Sequence, residues 1–206
     1  MTNKKLALFA LKVITVIAIA AIVSSFIFEN NEEGFRIQIR WSAKIAALIF
    51  SVTFATSDLH YFLNNNTTKF LLKNRPYIGF TFGLVHLYHL LTLIYLQYTF
   101  HPVFTLAKKS SLLGGGLAYI FLVLMMITTF PSIRNKLDPK NWKALHTMGS
   151  FWIWIIFFRS YFNNVVEKER YYFVFGVVVL AFAVRVGKQI KDSKLKIQNS
   201  KFKIKD

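Results

Sequence analysis

Cysteine is absent from this chain, and with it go disulfides, thiolate-held iron–sulfur clusters and covalent attachment of a c-type haem. Acid is scarce: 9 Asp and Glu stand against 26 Lys and Arg. Inside the apolar stretches the only carboxylate is Asp58, and so carboxylate-poor an interior argues against zinc, manganese and di-iron centres. Long polar connections are missing as well. That leaves no soluble module for nucleotide binding or catalysis, so any chemistry is expected within a bilayer.

What the chain has is hydrocarbon. Apolar residues make up 54% of it and Phe numbers 22 among 206 residues, the composition of an integral membrane protein. A hydrocarbon core of about 30 Å takes roughly 20 residues of helix. The stretches that qualify are Lys5–Phe28, Trp41–Leu63, Pro76–Phe100, Leu112–Pro131, Pro139–Phe162 and Tyr171–Gly187. The expected fold is therefore all-α, a bundle of six transmembrane helices over residues 1–187, followed by a basic tail over 188–206.

In a soluble protein a net charge of +17 would suggest nucleic acid; here its distribution points to membrane topology instead. With an even number of spans, Lys4, Lys5, the loops at 64–75 and 132–143 and the tail share one side. They carry Lys69, Lys73, Arg75, Arg134, Lys136, Lys140, Lys143, Arg185, Lys188, Lys191, Lys194, Lys196, Lys201, Lys203 and Lys205. The opposite loops hold Arg36, Arg40, Lys108, Lys109, Lys168 and Arg170, offset by Glu29, Glu32, Glu33, Glu167 and Glu169. Positive-inside places both termini in the cytoplasm. The tail alternates Lys with Ile, Leu and Phe, which suits an anionic membrane surface or an acidic partner, or serves as a topology signal alone. The first apolar run continues through Val23 and Ile27, beyond the roughly 7–15 residues of a signal h-region, so an uncleaved first span is expected.

Histidine is the informative minority. His86 and His89 sit one turn apart in the third stretch, and His146 sits near the start of the fifth. Hydrocarbon offers no water to an imidazole, so each needs a protein partner, a wet cavity or a cofactor. Asp138-Pro139 reads as an N-cap followed by proline at the first helical position, and Arg75-Pro76 as a second N1 proline. From those starts His146 lies about 10 Å along its helix, His86 about 15 Å and His89 about 20 Å along theirs. Histidines from parallel helices at similar depth suit an iron held between two imidazoles, with a porphyrin standing between helices. A non-haem metal on the His86/His89 pair, or imidazoles hydrogen-bonded across helices, are the competing uses.

His60 and His101 stand nearer the interfaces and are weaker candidates, since interfacial imidazoles reach water. On the cytoplasmic rim Arg75, Lys69, Lys73 and Lys143 are placed to pair with haem propionates, and they serve topology as well. Gly114-Gly115-Gly116 opens the fourth span, where small residues permit close helix approach or leave room for a flat macrocycle.

The run RPYIGFTFGLVHLYHLL, followed by MMITTF and then NWKALHTMGSFWIWIIFF, resembles the ferric reductase-like transmembrane domain. That superfamily includes ferric reductases, NADPH oxidase membrane domains and the haem-binding membrane subunit of the bacterial methionine sulfoxide reductase system. Arg75, Gly79 and His89 match the basic residue, glycine and histidine of its third span, with His86 additional; Trp142, Leu145 and His146 match the Trp-x-x-Leu-His of its fifth. The resemblance covers the second to sixth spans. It implies a non-covalent b-type haem, bis-histidine ligated by His146 with His89 or His86. It also implies single-electron relay from a cytoplasmic flavoprotein or membrane quinol to an acceptor at the outer face, in a bacterial inner membrane. Bis-imidazole ligation fills both axial positions and leaves no open site for oxygen chemistry.

Departures refine the expectation. Two-haem relatives carry a further histidine on the fifth span where this chain has Phe158 and Arg159, so one haem is expected, with two left open. The short tail holds no flavin- or NADPH-binding domain, so flavin or quinone enters only through a partner, and enzymatic activity of the chain alone stays open. The alternatives are a non-redox transporter, with buried histidines and Asp58 binding metal or protons, and an assembly or anchor subunit.

Overall fold

The computed structural model describes residues 2–28, 30–102, 106–166 and 168–203, with the side chains of 106–112 and 199–203 outside that description. Glu29, Glu167 and Lys205 therefore lie outside the described residues, as do the side chains of Lys108, Lys109, Lys201 and Lys203.

Helices α1 (Asn3–Ile27), α2 (Glu32–Leu63), α3 (Asn66–Phe100), α4 (Leu106–Ile127), the short α5 (Pro131–Arg134), α6 (Pro139–Val165) and α7 (Tyr172–Lys203) follow one another. A single 3-10 turn, Glu169–Tyr171, precedes α7. No strand occurs among the described residues, and the all-α expectation holds. Among the described residues four segments are long and apolar enough to cross a membrane: Asn3–Ile27, Glu32–Leu63, Asn66–Phe100 and Glu169–Gln198. Leu113–Ile127 is a shorter apolar helix.

Three helix starts differ from expectation by a turn or more: α4 begins at Leu106 rather than Leu112, and capping explains the other two. α2 begins at Glu32 rather than Trp41, because the Asn31 side chain accepts from the Gly34 amide and the polar first turns are laced by Arg36–Glu32 and Arg40–Glu33 pairs. α3 begins at Asn66 rather than Pro76. Asn65 and Thr68 form a reciprocal capping box there, and Asn64 closes α2 in the left-handed region at φ 39°. Residues 66–75 are thus helix, not loop, and Pro76 lies inside α3, where it contributes no amide to the ladder. The N-cap expected at Asp138 is present, accepting from the Lys140 and Asn141 amides. α7 continues without a break to Lys203, so the basic tail extends the last helix.

The packing centre is α2. Ala46, Ala47, Phe50 and Phe54 are buried against Phe82 of α3, Leu122 of α4, Ile153 and Phe157 of α6, and Val174, Val178 and Ala181 of α7. Phe50 touches Phe54, Phe82 and Phe157 at ring separations of 5.4, 5.2 and 5.4 Å, the spacing that aromatic pairs prefer. Three indole N–H groups of α6 spend their one donor on carbonyls of neighbouring helices: Trp142 on Thr128 (3.2 Å), Trp152 on Gly114 (3.1 Å) and Trp154 on Val178 (3.0 Å). Away from water each bond satisfies a donor that would otherwise be costly to bury. α1 stands at the margin. Only Leu6 of it is buried, Phe9 rests 4.9 Å from Tyr77 of α3, and Leu11, Val16, Ile19 and Phe26 face outward.

Cross-helix contacts fix which ends meet. His60 bonds Thr68, Asp58 reaches Arg185 and Lys188, Arg75 reaches Thr53 and Ser57, and the Ser132 amide donates to Asn3. At the far end Tyr88 donates to Gln38, Trp152 to Gly114, and Phe35 packs on Tyr95. The polar clustering at the first end gathers the residues that matter next.

Candidate functional site

A cavity of about 540 Å³ opens among α2, α3, α4, α5, α6 and α7 at that first end, within the roughly 300–1,000 Å³ of ligand pockets. Its floor is apolar, with Phe50, Phe80, Phe82, Leu122, Met125 and Met126. Its rim carries Arg75, Arg134, Lys143 and Arg185, and His146 is on its wall. An apolar bed with cations at one edge suits an amphiphilic anion.

His146 is held from two sides. Its Nε2 lies 3.0 Å from Thr128 Oγ1, and Trp142 lies over its ring at 4.2 Å, with Arg134 in turn over the Trp142 ring at 4.5 Å. Thr128 Oγ1 also lies 2.7 Å from the Leu124 carbonyl and 3.2 Å from the Met125 carbonyl, so its single proton has three acceptors within reach.

His86 and His89 lie together, ring centroids 5.3 Å apart and stacked with their planes nearly parallel at 5°. Neither lines the cavity. Phe82 does, and its ring stacks on His86 at 5.5 Å, which puts His86 directly behind the cavity wall. His86 is further packed by Tyr119 at 4.9 Å and Phe157 at 5.3 Å, and its Nδ1 is buried without a hydrogen-bond partner. His89 is oriented differently: Nδ1 lies 3.1 Å from both the Ile39 carbonyl and Ser42 Oγ. Donation of Nδ1–H to a carbonyl is how metal-ligating histidines are commonly held, with Nε2 as the bare donor.

The depth argument needs revision, since α3 starts at Asn66 and places His86 roughly 30 Å, not 15 Å, from its own helix start. Level is set by neighbours instead. Gly83 packs on Met126, Gly149 on Met125, and Thr128 on His146, so His86, one turn beyond Gly83, lies farther from the cavity mouth than His146 does.

The remaining sequence candidates divide. Arg75 and Lys143 line the cavity, whereas Lys69 and Lys73 are exposed and do not. Arg75 is already engaged, Nε donating to the Thr53 carbonyl at 3.0 Å and Nη1 to Ser57 at 3.1 Å. His60 bonds Thr68 at 3.0 Å in the turn between α2 and α3. His101 is the left-handed cap of α3 at φ 46°, exposed at the opposite end. Of the three glycines only Gly114 is tightly packed: a Cβ there would meet Ile156 at 3.2 Å, while Gly115 and Gly116 face open space. Arg159 is exposed.

Sequence reasoning missed the group around Asp58. This buried carboxylate lies 3.3 Å from Lys188 and 3.9 Å from Arg185. The signal was available, because an Arg two residues before the expected end of the sixth span and a lone Asp in the second are charges that need each other. Among the described residues no group of three or more His, Cys, Asp or Glu side chains is placed to hold a metal ion.

A haem tests the site as follows. Haem iron takes two imidazoles, and of the three histidines His146 alone lines the cavity, His86 standing behind Phe82. The unpartnered Nδ1 of buried His86, the ligand-like orientation of His89 and the cation-rimmed cavity beside His146 fit a haem. Bridging from His146 to the pair requires Phe82 to turn aside. Comparison with protein-family models, with curated proteins and with solved structures finds no match to this chain.

Proposed function

We propose that this chain is a membrane haem protein that relays single electrons. It would cross the bilayer six times with both termini in the cytoplasm of a bacterial inner membrane, α4 and α6 completing the four long apolar segments. The observation that carries the reading is the cavity: His146 on its wall, a buried histidine pair behind Phe82, and cations on its rim.

In this reading His146 supplies one axial nitrogen and the pair supplies the other. His86 has position in its favour, His89 the orienting bond to Ile39. Phe50, Phe80 and Leu122 would pack against the porphyrin and exclude water, and Lys143, which also lines the cavity, would be available to a carboxylate. A bis-imidazole haem b exchanges one electron with little rearrangement, which suits relay and not oxygen activation. Its reductant would be a cytoplasmic flavoprotein or a membrane quinol, its acceptor at the outer face. Proton or metal transport is the weaker reading, since Asp58 is already committed to two cations and the described residues assemble no three-donor metal group.

The test is haem content. Protein purified from haem-replete cells should carry about one non-covalent haem b per chain by pyridine haemochrome. His146→Ala should abolish it, as should one of His86→Ala and His89→Ala. Haem-free wild-type protein, or full haem in all three variants, would overturn the reading.

A further inference from the structure

α1 leans on α3 at an aromatic contact, and beside that contact the helices part. Phe9 of α1 meets Tyr77 of α3 at 4.9 Å, edge to face. Both rings, with Ile49 of α2 and Ile78 of α3, line a second cavity of about 500 Å³ that is open along one side. Its α3 wall runs from Phe70 to Thr81, about 16 Å of helix. That is close to half of a roughly 30 Å hydrocarbon core, the reach of the chains in one leaflet. Two polar side chains interrupt this mostly hydrocarbon and aromatic lining. Thr81 gives its proton to the Tyr77 carbonyl at 3.0 Å, and Asn74 donates one amide N–H to the Phe70 carbonyl at 2.9 Å, with a second to offer.

Cations stand at one end of the slot. α1 and α3 run the same way, both starting at the end where Asn3 meets Ser132 and His60 meets Thr68. Lys5 lies four residues before Phe9 and Lys73 four before Tyr77, so each lysine is one turn nearer that end, on the face that carries its ring. The touching rings thereby bring two ammonium groups to one level on neighbouring helices. Both lysines are exposed, and among the described residues neither has a carboxylate partner. Glu32 and Glu33 pair with Arg36 and Arg40, Asp58 with Arg185 and Lys188, and Asp138 caps α6. Like charges so placed repel each other, and an anion between them turns the repulsion into attraction.

A slot of one leaflet's depth with two unpaired cations at its end matches an amphiphile with an anionic head and a hydrocarbon tail. We propose that α1, α2 and α3 form a binding site for an anionic phospholipid, one acyl chain lying in the slot and the headgroup phosphate between Lys5 and Lys73. Asn74 donates to an ester or phosphate oxygen there. The lipid fastens a helix that otherwise buries little against the bundle, Leu6 being the buried residue of α1. The slot shares no lining residue with the histidine cavity, so the inference needs the chain to lie in a membrane but does not rest on haem.

The experiment is native mass spectrometry of the full chain in detergent, titrated separately with a phosphatidylglycerol and with a phosphatidylcholine of the same acyl chains. One phosphatidylglycerol should bind about 10–30-fold more tightly than phosphatidylcholine, the worth of two lysines at one anionic headgroup. The surface variant Lys5→Gln/Lys73→Gln should bring the two lipids within about threefold of each other. Lys194→Gln/Lys196→Gln, which removes the same charge far along α7, should leave the preference intact. Ile78→Trp, which fills the slot, should weaken both lipids. Equal binding of the two lipids by wild type overturns the proposal and needs no variant to fold. So does a preference that survives Lys5→Gln/Lys73→Gln, one that Lys194→Gln/Lys196→Gln removes equally well, or undiminished binding of both lipids by Ile78→Trp.

Discussion

Thr128 Oγ1 and His146 Nε2 lie 3.0 Å apart, a hydrogen bond that occupies this ring nitrogen whichever partner donates. In the proposed function that nitrogen is also the one that would face iron, so Thr128 and the haem compete for it. Thr128→Val removes the competitor at similar volume. Haem affinity should rise about 2- to 10-fold, the worth of an ordinary hydrogen bond. Titration of the stripped protein measures it; weaker binding would show that Thr128 holds His146 for ligation instead.

Arg75 fastens α3 to α2 through two donors placed for a carbonyl and a hydroxyl. Arg75→Gln should cost about 2–4 kcal/mol, and Arg75→Lys should restore less than half of it, because one ammonium cannot reproduce the fork. Thermal or denaturant unfolding in detergent reads both values.

Asp58 answers two cations, Lys188 only one carboxylate that Arg185 also faces. Asp58→Asn should therefore destabilise the protein by about 3–5 kcal/mol, the cost of stranding buried charge, while Lys188→Gln should cost less than about 1 kcal/mol. Unfolding midpoints that move equally in the two variants would contradict the assignment of Asp58 as the centre of the group.

Close packing between α4 and α6 is tightest at Gly149, with Gly114 against Ile156 the other close approach. A Cβ on Gly149 would lie 2.5 Å from Met125 Sδ and 3.2 Å from Phe121 Cβ, whereas one on Gly115 meets nothing within 4 Å. Gly149→Ala should cost about 1–3 kcal/mol and Gly115→Ala should be neutral or stabilising by up to about 1 kcal/mol, both read by unfolding.

Much of this was legible beforehand. The helix at Pro139 was readable because Asp138-Pro139 is a local signal, and the apolar runs of α1, α2 and α3 because length and hydrophobicity suffice. The start of α3 was not, since proline is equally at home at a helix N1 position, and the Asn65–Thr68 box that outcompetes it sits in a polar segment resembling a loop. Of the site, the residue types were visible but not their grouping. Phe82 between His86 and the cavity, and the Asp58–Arg185 contact between α2 and α7, depend on tertiary packing that periodicity does not encode.

The central claim is that His146 and the buried pair hold a haem, and the reduced-minus-oxidised absorbance spectrum of the purified chain tests it most directly. Wild-type protein should show the sharp Soret and α bands of a low-spin b-type haem, and His146→Ala should lose them. A wild-type spectrum without those bands under haem-replete expression, or bands unchanged in His146→Ala, would contradict it.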